Sequence, residues 1–145
     1  MKHYTTKNYD PTTSVGFSLT RARNVVIAEM DSALRDLDIT TQQMGIVLSL
    51  ARELVSTPFE LSKLLDIDTG LMTRMLDKLE QQGMLVRTRS VDDRRSVNLQ
   101  LTEKGQQIAL EIPSRAPEVL NRRLQKFSAD EFQEFRRLLA KFLEG

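Results

Sequence analysis

Between Gly83 and Leu101 the only charged residues are Arg87, Arg89, Arg94 and Arg95, set against Asp92 and Asp93. A guanidinium is a planar fork of donors that fits phosphate and base edges, so this locally basic run suits a polyanion. A second polar set precedes it: Thr69, Gly70, Thr73, Arg74, Asp77 and Lys78 recur at spacings that share one side of a helix. Arg74 can donate two hydrogen bonds to a guanine, and Thr69 and Thr73 can bond phosphate or touch a thymine methyl. Lys78 suits backbone charge, and Gly70 permits close approach at the helix start. Together the two sets suggest contact with double-stranded DNA.

Elements able to position these residues follow from the pattern around them. Thr57-Pro58-Phe59-Glu60 offers a cap, a proline at the first helical position and Glu at the third, and so starts a short helix with Leu61, Leu64 and Leu65 inside. Asp66-Ile67-Asp68 turns the chain, Asp68 caps a second helix, and Leu71, Met72, Met75, Leu76 and Leu79 form its apolar side until Gly83 ends it. Beyond Gly83 the period changes to two. Val97, Leu99 and Leu101 share one face of a strand, and 85–89 is its antiparallel partner. This order is that of a winged helix-turn-helix, in which the second helix enters the major groove and the hairpin tip reaches the minor groove. At the tip, Arg94 and Arg95 are the candidates for insertion. Asp93, two positions before Arg95 in a tight hairpin, is expected to accept its guanidinium hydrogen bonds and orient it.

Flanking segments read as helices. One begins after Pro11, capped by Thr12, Thr13 or Ser14, and carries a wide apolar stripe from Val15 to Leu37. A capping box at Thr40-Thr41-Gln42-Gln43 opens another, expected to end near Leu54. Thr102 caps a helix in which Pro113 and Pro117 are expected to produce a kink or break. Ser128-Ala129-Asp130-Glu131 caps the last helix, whose Phe132, Phe135, Leu138, Leu139 and Phe142, with Phe127 before it, exceed what so small a core needs. A second copy of the chain would bury them. The fold class expected is therefore mainly α with a small antiparallel β-hairpin (α+β). It forms a single domain over 1–145, with a helical dimerisation region at 12–38 and 103–145 and a DNA-binding lobe at 40–102.

Composition narrows the alternatives. A chain of 145 residues, 40% hydrophobic and 28% charged, fits one globular domain. No run approaches the roughly 18 apolar residues of a membrane span, and the first residues lack the apolar core of a secretory signal, so a cytoplasmic location without membrane contact is expected. With no cysteine and one histidine, His3, there is no thiolate or imidazole set for a metal, and no cofactor is expected. Nor does the chain offer a nucleophile backed by a base, or a glycine-rich phosphate loop, so an enzyme is the weakest function class. The net charge of +1 requires the basic footprint to be local. Bland readings compete at each position. Arg87 and Arg89 suit an ordinary solvated strand face, Thr73 a plain helix surface, Met44 a core gap, and Arg21 and Arg23 a solvated helix face.

The segments Leu37-Asp38-Ile39-Thr40, Thr57-Pro58-Phe59-Glu60-Leu61, Leu71-Met72-Thr73-Arg74-Met75-Leu76-Asp77-Lys78-Leu79, Asp93-Arg94-Arg95-Ser96-Val97 and Leu101-Thr102-Glu103-Lys104-Gly105 resemble the multiple-antibiotic-resistance regulator (MarR) family. That resemblance implies a homodimer in which the first helix and the last two pair across a two-fold axis, carrying two winged lobes to a pseudo-palindromic operator. It implies a repressor released when a small aromatic carboxylate or phenolic anion binds between the dimer region and the lobe. Pro58, Thr73 and Arg87 match positions where some members hold an aromatic carboxylate, with Arg87 its partner. For a deeper pocket, position alone suggests Phe17, Arg21 and Met44. The missing cysteines depart from the family's peroxide-sensing branch, and the lone His3 from its zinc-sensing branch. A constitutive winged-helix DNA binder or a protein-interaction module is the alternative.

Overall fold

The computed structural model describes residues 1–92 and 96–145. The expectations placed on Asp93, Arg94 and Arg95 at the hairpin tip therefore lie outside the described residues. Helix α1 (Val15–Ala33) starts where the Ser14 side-chain oxygen accepts from the Phe17 N–H. The Tyr4 hydroxyl accepts a further orphan N–H, that of Val15, at 2.9 Å. A 3-10 turn (Arg35–Leu37) and Asp38 in the left-handed region (φ 57°) redirect the chain into α2 (Thr41–Ala51), which carries the expected capping box. Expected to continue to Leu54, α2 stops at Ala51. Glu53 adopts φ 54°, and the Leu54 N–H turns back to the Ser49 carbonyl at 3.1 Å.

Helix α3 (Pro58–Leu65) has Thr57 as its cap and the proline at its start, and Asp66 ends it at φ 51°. Leu61 is wholly buried and Leu65 partly so, but Leu64, expected inside, is half exposed. Leu61 and Leu65, about 40° apart around the axis, face the core between them, and Leu64 lies about 60° to the far side of Leu61. Helix α4 (Thr69–Gln81) closes at Gly83, whose φ of 74° lets the Met84 N–H reach the Leu79 carbonyl. Strands β1 (Leu85–Arg89) and β2 (Val97–Leu101) pair antiparallel, with Leu85 opposite Leu101, Arg87 opposite Leu99 and Arg89 opposite Val97. The Leu99 N–H points away from β1 to the Ser56 carbonyl at 2.7 Å, tying the hairpin to the segment before α3.

Helix α5 (Glu103–Leu124) runs unbroken through Pro113 and Pro117, so the expected break does not occur. Two prolines four residues apart remove hydrogen bonds on the same side of the helix, and buried side chains hold its other side. Ile112 and Val119 are buried, and Arg115 donates to the Ala33 carbonyl and pairs with Asp36 and Glu111. The start of α5 passes so close under the α4–β1 turn that a Cβ at Gly105 would overlap the Met84 carbonyl oxygen. Helix α6 (Ala129–Glu144) follows a second capping box at Ser128.

One contiguous core links these elements. It runs from Met30 and Leu34 through Ile46, Leu61, Met72, Leu76, Leu79, Met84, Leu85 and Leu99 to Ile112 and Val119. Among the described residues the fold is six α-helices and one two-stranded sheet, and no helix is long and apolar enough to cross a membrane. Helix α6 contributes nothing buried.

Candidate nucleic-acid interface

The two sides of α4 are cleanly divided. Met72, Met75, Leu76 and Leu79 are buried in the core where α4 packs on α3 and β1, which leaves Thr69, Gly70, Thr73, Arg74, Asp77 and Lys78 on the exposed side. Asp68 fixes the start of this helix, its carboxylate accepting from the Gly70 N–H at 2.8 Å and the Leu71 N–H at 3.2 Å. At the other end Lys104 donates to the Gln82 carbonyl at 2.7 Å, and the Gln82 amide donates to the Asp38 carbonyl at 2.6 Å. Both ends of the helix are therefore held, and its outer face is presented at a set angle.

Each outer side chain can now be given a role. A guanidinium nitrogen of Arg74 lies 3.8 Å from where a Cβ on Gly70 would stand, so Arg74 folds back over the first turn at ordinary contact distance. The Thr73 hydroxyl donates to the Thr69 carbonyl at 2.9 Å. Its one proton is used within the helix, and what it offers outward is a methyl group and lone pairs, a better match to a thymine methyl than to phosphate. Arg74, Lys78 and the exposed Arg89 make no ion pair among the described residues.

Arg87 is different. Its guanidinium donates to the Asp77 carboxylate at 2.7 Å and lies 3.8 Å from Glu80, so the strand is tied to α4 one turn after Thr73. The structure thus brings Arg87 to the face of α4 that carries Thr73, while Pro58 sits half-buried at the start of α3. Sequence reasoning placed Asp77 on the outer face but missed its pairing. Ten residues and a change of secondary structure separate it from Arg87, and no local rule joins them.

The residues suggested for a deeper pocket do not gather in one place. Phe17 and Arg21, the latter stacked over the former at 5.9 Å, border a groove of about 520 Å³ shared with Leu120, Leu124, Phe127 and Phe135. Met44 is not part of that lining and packs half-buried against the core. Beside the groove Arg123 holds Glu29 through two contacts, one of them 3.0 Å from Nε. The hydrogen bonds from Arg123 hold the Glu29 carboxyl below its ordinary range, as those from Arg115 do for Asp36.

Known proteins agree with this geometry. The model of the MarR family matches residues 39–97, the stretch from the start of α2 into β2. The multiple antibiotic resistance protein MarR of Salmonella typhimurium is 36% identical over 115 residues, covering 79% of this chain and 80% of that protein. The crystal structure of a mutant MarR from E. coli complexed with operator DNA superposes with a TM-score of 0.83 at 29% identity, over 93% of this chain and 99% of that one. The apo form of wild-type MarR from E. coli superposes at 0.73 with 30% identity, over 90% and 97%. These relatives are regulators rather than enzymes, and the sequence match covers 79% of the chain while the superpositions cover 90% or more. The chain belongs to the MarR family of winged-helix transcription regulators.

Proposed function

We propose that the protein is a sequence-specific DNA-binding transcription regulator, acting as a homodimer on a pseudo-palindromic operator and released from it by a small aromatic or phenolic anion. The observation that carries the DNA reading is the outer face of α4, where Arg74 and Lys78 stand exposed, without an ion pair among the described residues, beside Gly70 and the Thr73 methyl. A helix held at both ends and presenting such a face fits the roughly 12 Å major groove, with the hairpin directed at the neighbouring minor groove. Exposed Phe127, Phe135, Leu138 and Phe142 support the homodimer, since two copies meeting there would remove a large apolar surface from water.

For the effector, the site suggested by Pro58, Thr73 and Arg87 acquires a condition. An aromatic carboxylate reaching the Arg87 guanidinium has to share it with the Asp77 carboxylate on Nη1 or displace that carboxylate. That same engagement favours the second reading, a constitutive DNA binder, because the natural carboxylate receptor already holds one carboxylate. The test is operator binding followed by fluorescence anisotropy as salt is raised and then as small aromatic acids are added. Affinity should fall by orders of magnitude over a few-fold rise in salt, and at least one acid should both raise the melting temperature and release the duplex. Salt-dependent binding that no acid reverses would leave the constitutive binder. Indifference to duplex sequence would remove the operator reading altogether.

A further inference from the structure

Asp77 stands where electrostatics argue against it. It lies on the outer face of α4 among the residues proposed to meet DNA, and a carboxylate facing a phosphate polyanion weakens association unless it does something else there. Its environment shows what that is. Arg87 belongs to the face of the hairpin that carries Leu85 and Leu99. Because the Leu99 N–H points away to Ser56, Arg87 and Leu99 form a non-hydrogen-bonded cross-strand pair, the kind in which side chains stand closest. The Arg87 stem thus starts directly opposite the buried Leu99, and its side chain is only 27% exposed. The guanidinium at its end emerges against α4, where Asp77 holds it at 2.7 Å with Glu80 behind at 3.8 Å. Three fixed points, the strand backbone, Leu99 and Asp77, define this connection between wing and helix.

We infer that Asp77 is a positioning residue that acts through Arg87, locking the wing hairpin to α4 at the angle needed for both to engage one operator half-site. The inference rests on the DNA reading above. It makes a prediction opposite in sign to that of a simple surface charge. Removing a negative charge from a DNA-facing helix should strengthen binding to any duplex, whereas loosening the strut should weaken binding to the operator alone.

The experiment compares wild type, Asp77→Asn, Arg87→Gln and the double variant on operator and on scrambled duplex, each across a salt series, with circular dichroism to confirm equal folding. Asp77→Asn should lower operator affinity roughly three- to tenfold while binding scrambled duplex as well as or better than wild type. Arg87→Gln should show a similar operator loss without the unit decrease in salt slope expected of a phosphate contact, and the double variant should be no worse than Arg87→Gln. Asp77→Asn binding both duplexes more tightly would overturn the inference, as would losses that add in the double variant. Wild type showing no preference for the operator would instead sink the DNA reading on which the inference stands.

Discussion

On the outer side of α4 two cations meet no carboxylate among the described residues and the apolar residues are hidden, while on α5 and α6 three arginines are paired and large apolar side chains are exposed. Arg74 and Lys78 meet no carboxylate among the described residues, and Met72, Met75, Leu76 and Leu79 are buried beneath them. On the helical arm Arg115 is held by Asp36 and Glu111, Arg123 by Glu29 and Arg137 by Glu134, yet Phe127, Phe135, Leu138 and Phe142 stand in solvent. A surface leaves unsatisfied what its partner will supply. The first leaves two cations without a carboxylate among the described residues and the second lacks apolar cover, which is why the proposed partners differ, a polyanion for one and a second copy of the chain for the other. Arg87 stands apart from both groups, a lobe arginine that is already paired.

The largest effect is expected from a charge placed on the arm. Leu138→Asp should convert the dimer to monomers in analytical ultracentrifugation and lower operator affinity by orders of magnitude, although no DNA contact is altered. An unchanged sedimentation coefficient would mean that the exposed face of α6 does not join two copies. A smaller effect is expected at Gly105, where arm and lobe meet. Gly105→Ala forces a methyl group against the Met84 carbonyl and should cost about 1–3 kcal/mol of stability, read as a lower melting temperature.

The smallest effect comes from acid. Arg123 and Arg115 lower the folded-state carboxyl pKa values of Glu29 and Asp36, so their contribution is fully present above the unfolded values of about 4 and is lost as pH falls through the lower folded ones. Melting temperature should therefore decline below about pH 4, and Glu29→Gln should make that decline shallower. An identical pH profile for the variant would show that the exposed Arg123–Glu29 bridge adds nothing measurable.

What could be read from the chain beforehand was what is decided locally. Thr40, Thr57, Asp68, Thr102 and Ser128 all cap helices, because a short oxygen-bearing side chain satisfies an orphan N–H two or three residues ahead. The exposed face of α4 was legible for a similar reason, since helical periodicity sorts side chains without reference to the rest of the fold. What escaped depends on distant neighbours. Pro113 and Pro117 mark a break by local rules, but Ile112, Val119 and the Arg115 bridges to the end of α1 keep α5 continuous. Asp77 looked like one more outward polar residue until the β1 register delivered Arg87 to it. Phe17 and Arg21 share a groove with Phe127 and Phe135 from the other end of the chain, and Met44 lies apart from them.

If the outer face of α4 reads DNA sequence, Arg74 is the side chain whose loss must show it. Wild type and Arg74→Ala would be titrated against a pseudo-palindromic duplex selected by the wild-type protein and against a scrambled duplex at fixed salt. Losing one bidentate base contact should cost about 1–3 kcal/mol in each half-site, so Arg74→Ala should lose most of its preference for the selected duplex while remaining a folded dimer. If Arg74→Ala kept the wild-type ratio of the two affinities, α4 would not be the reading element.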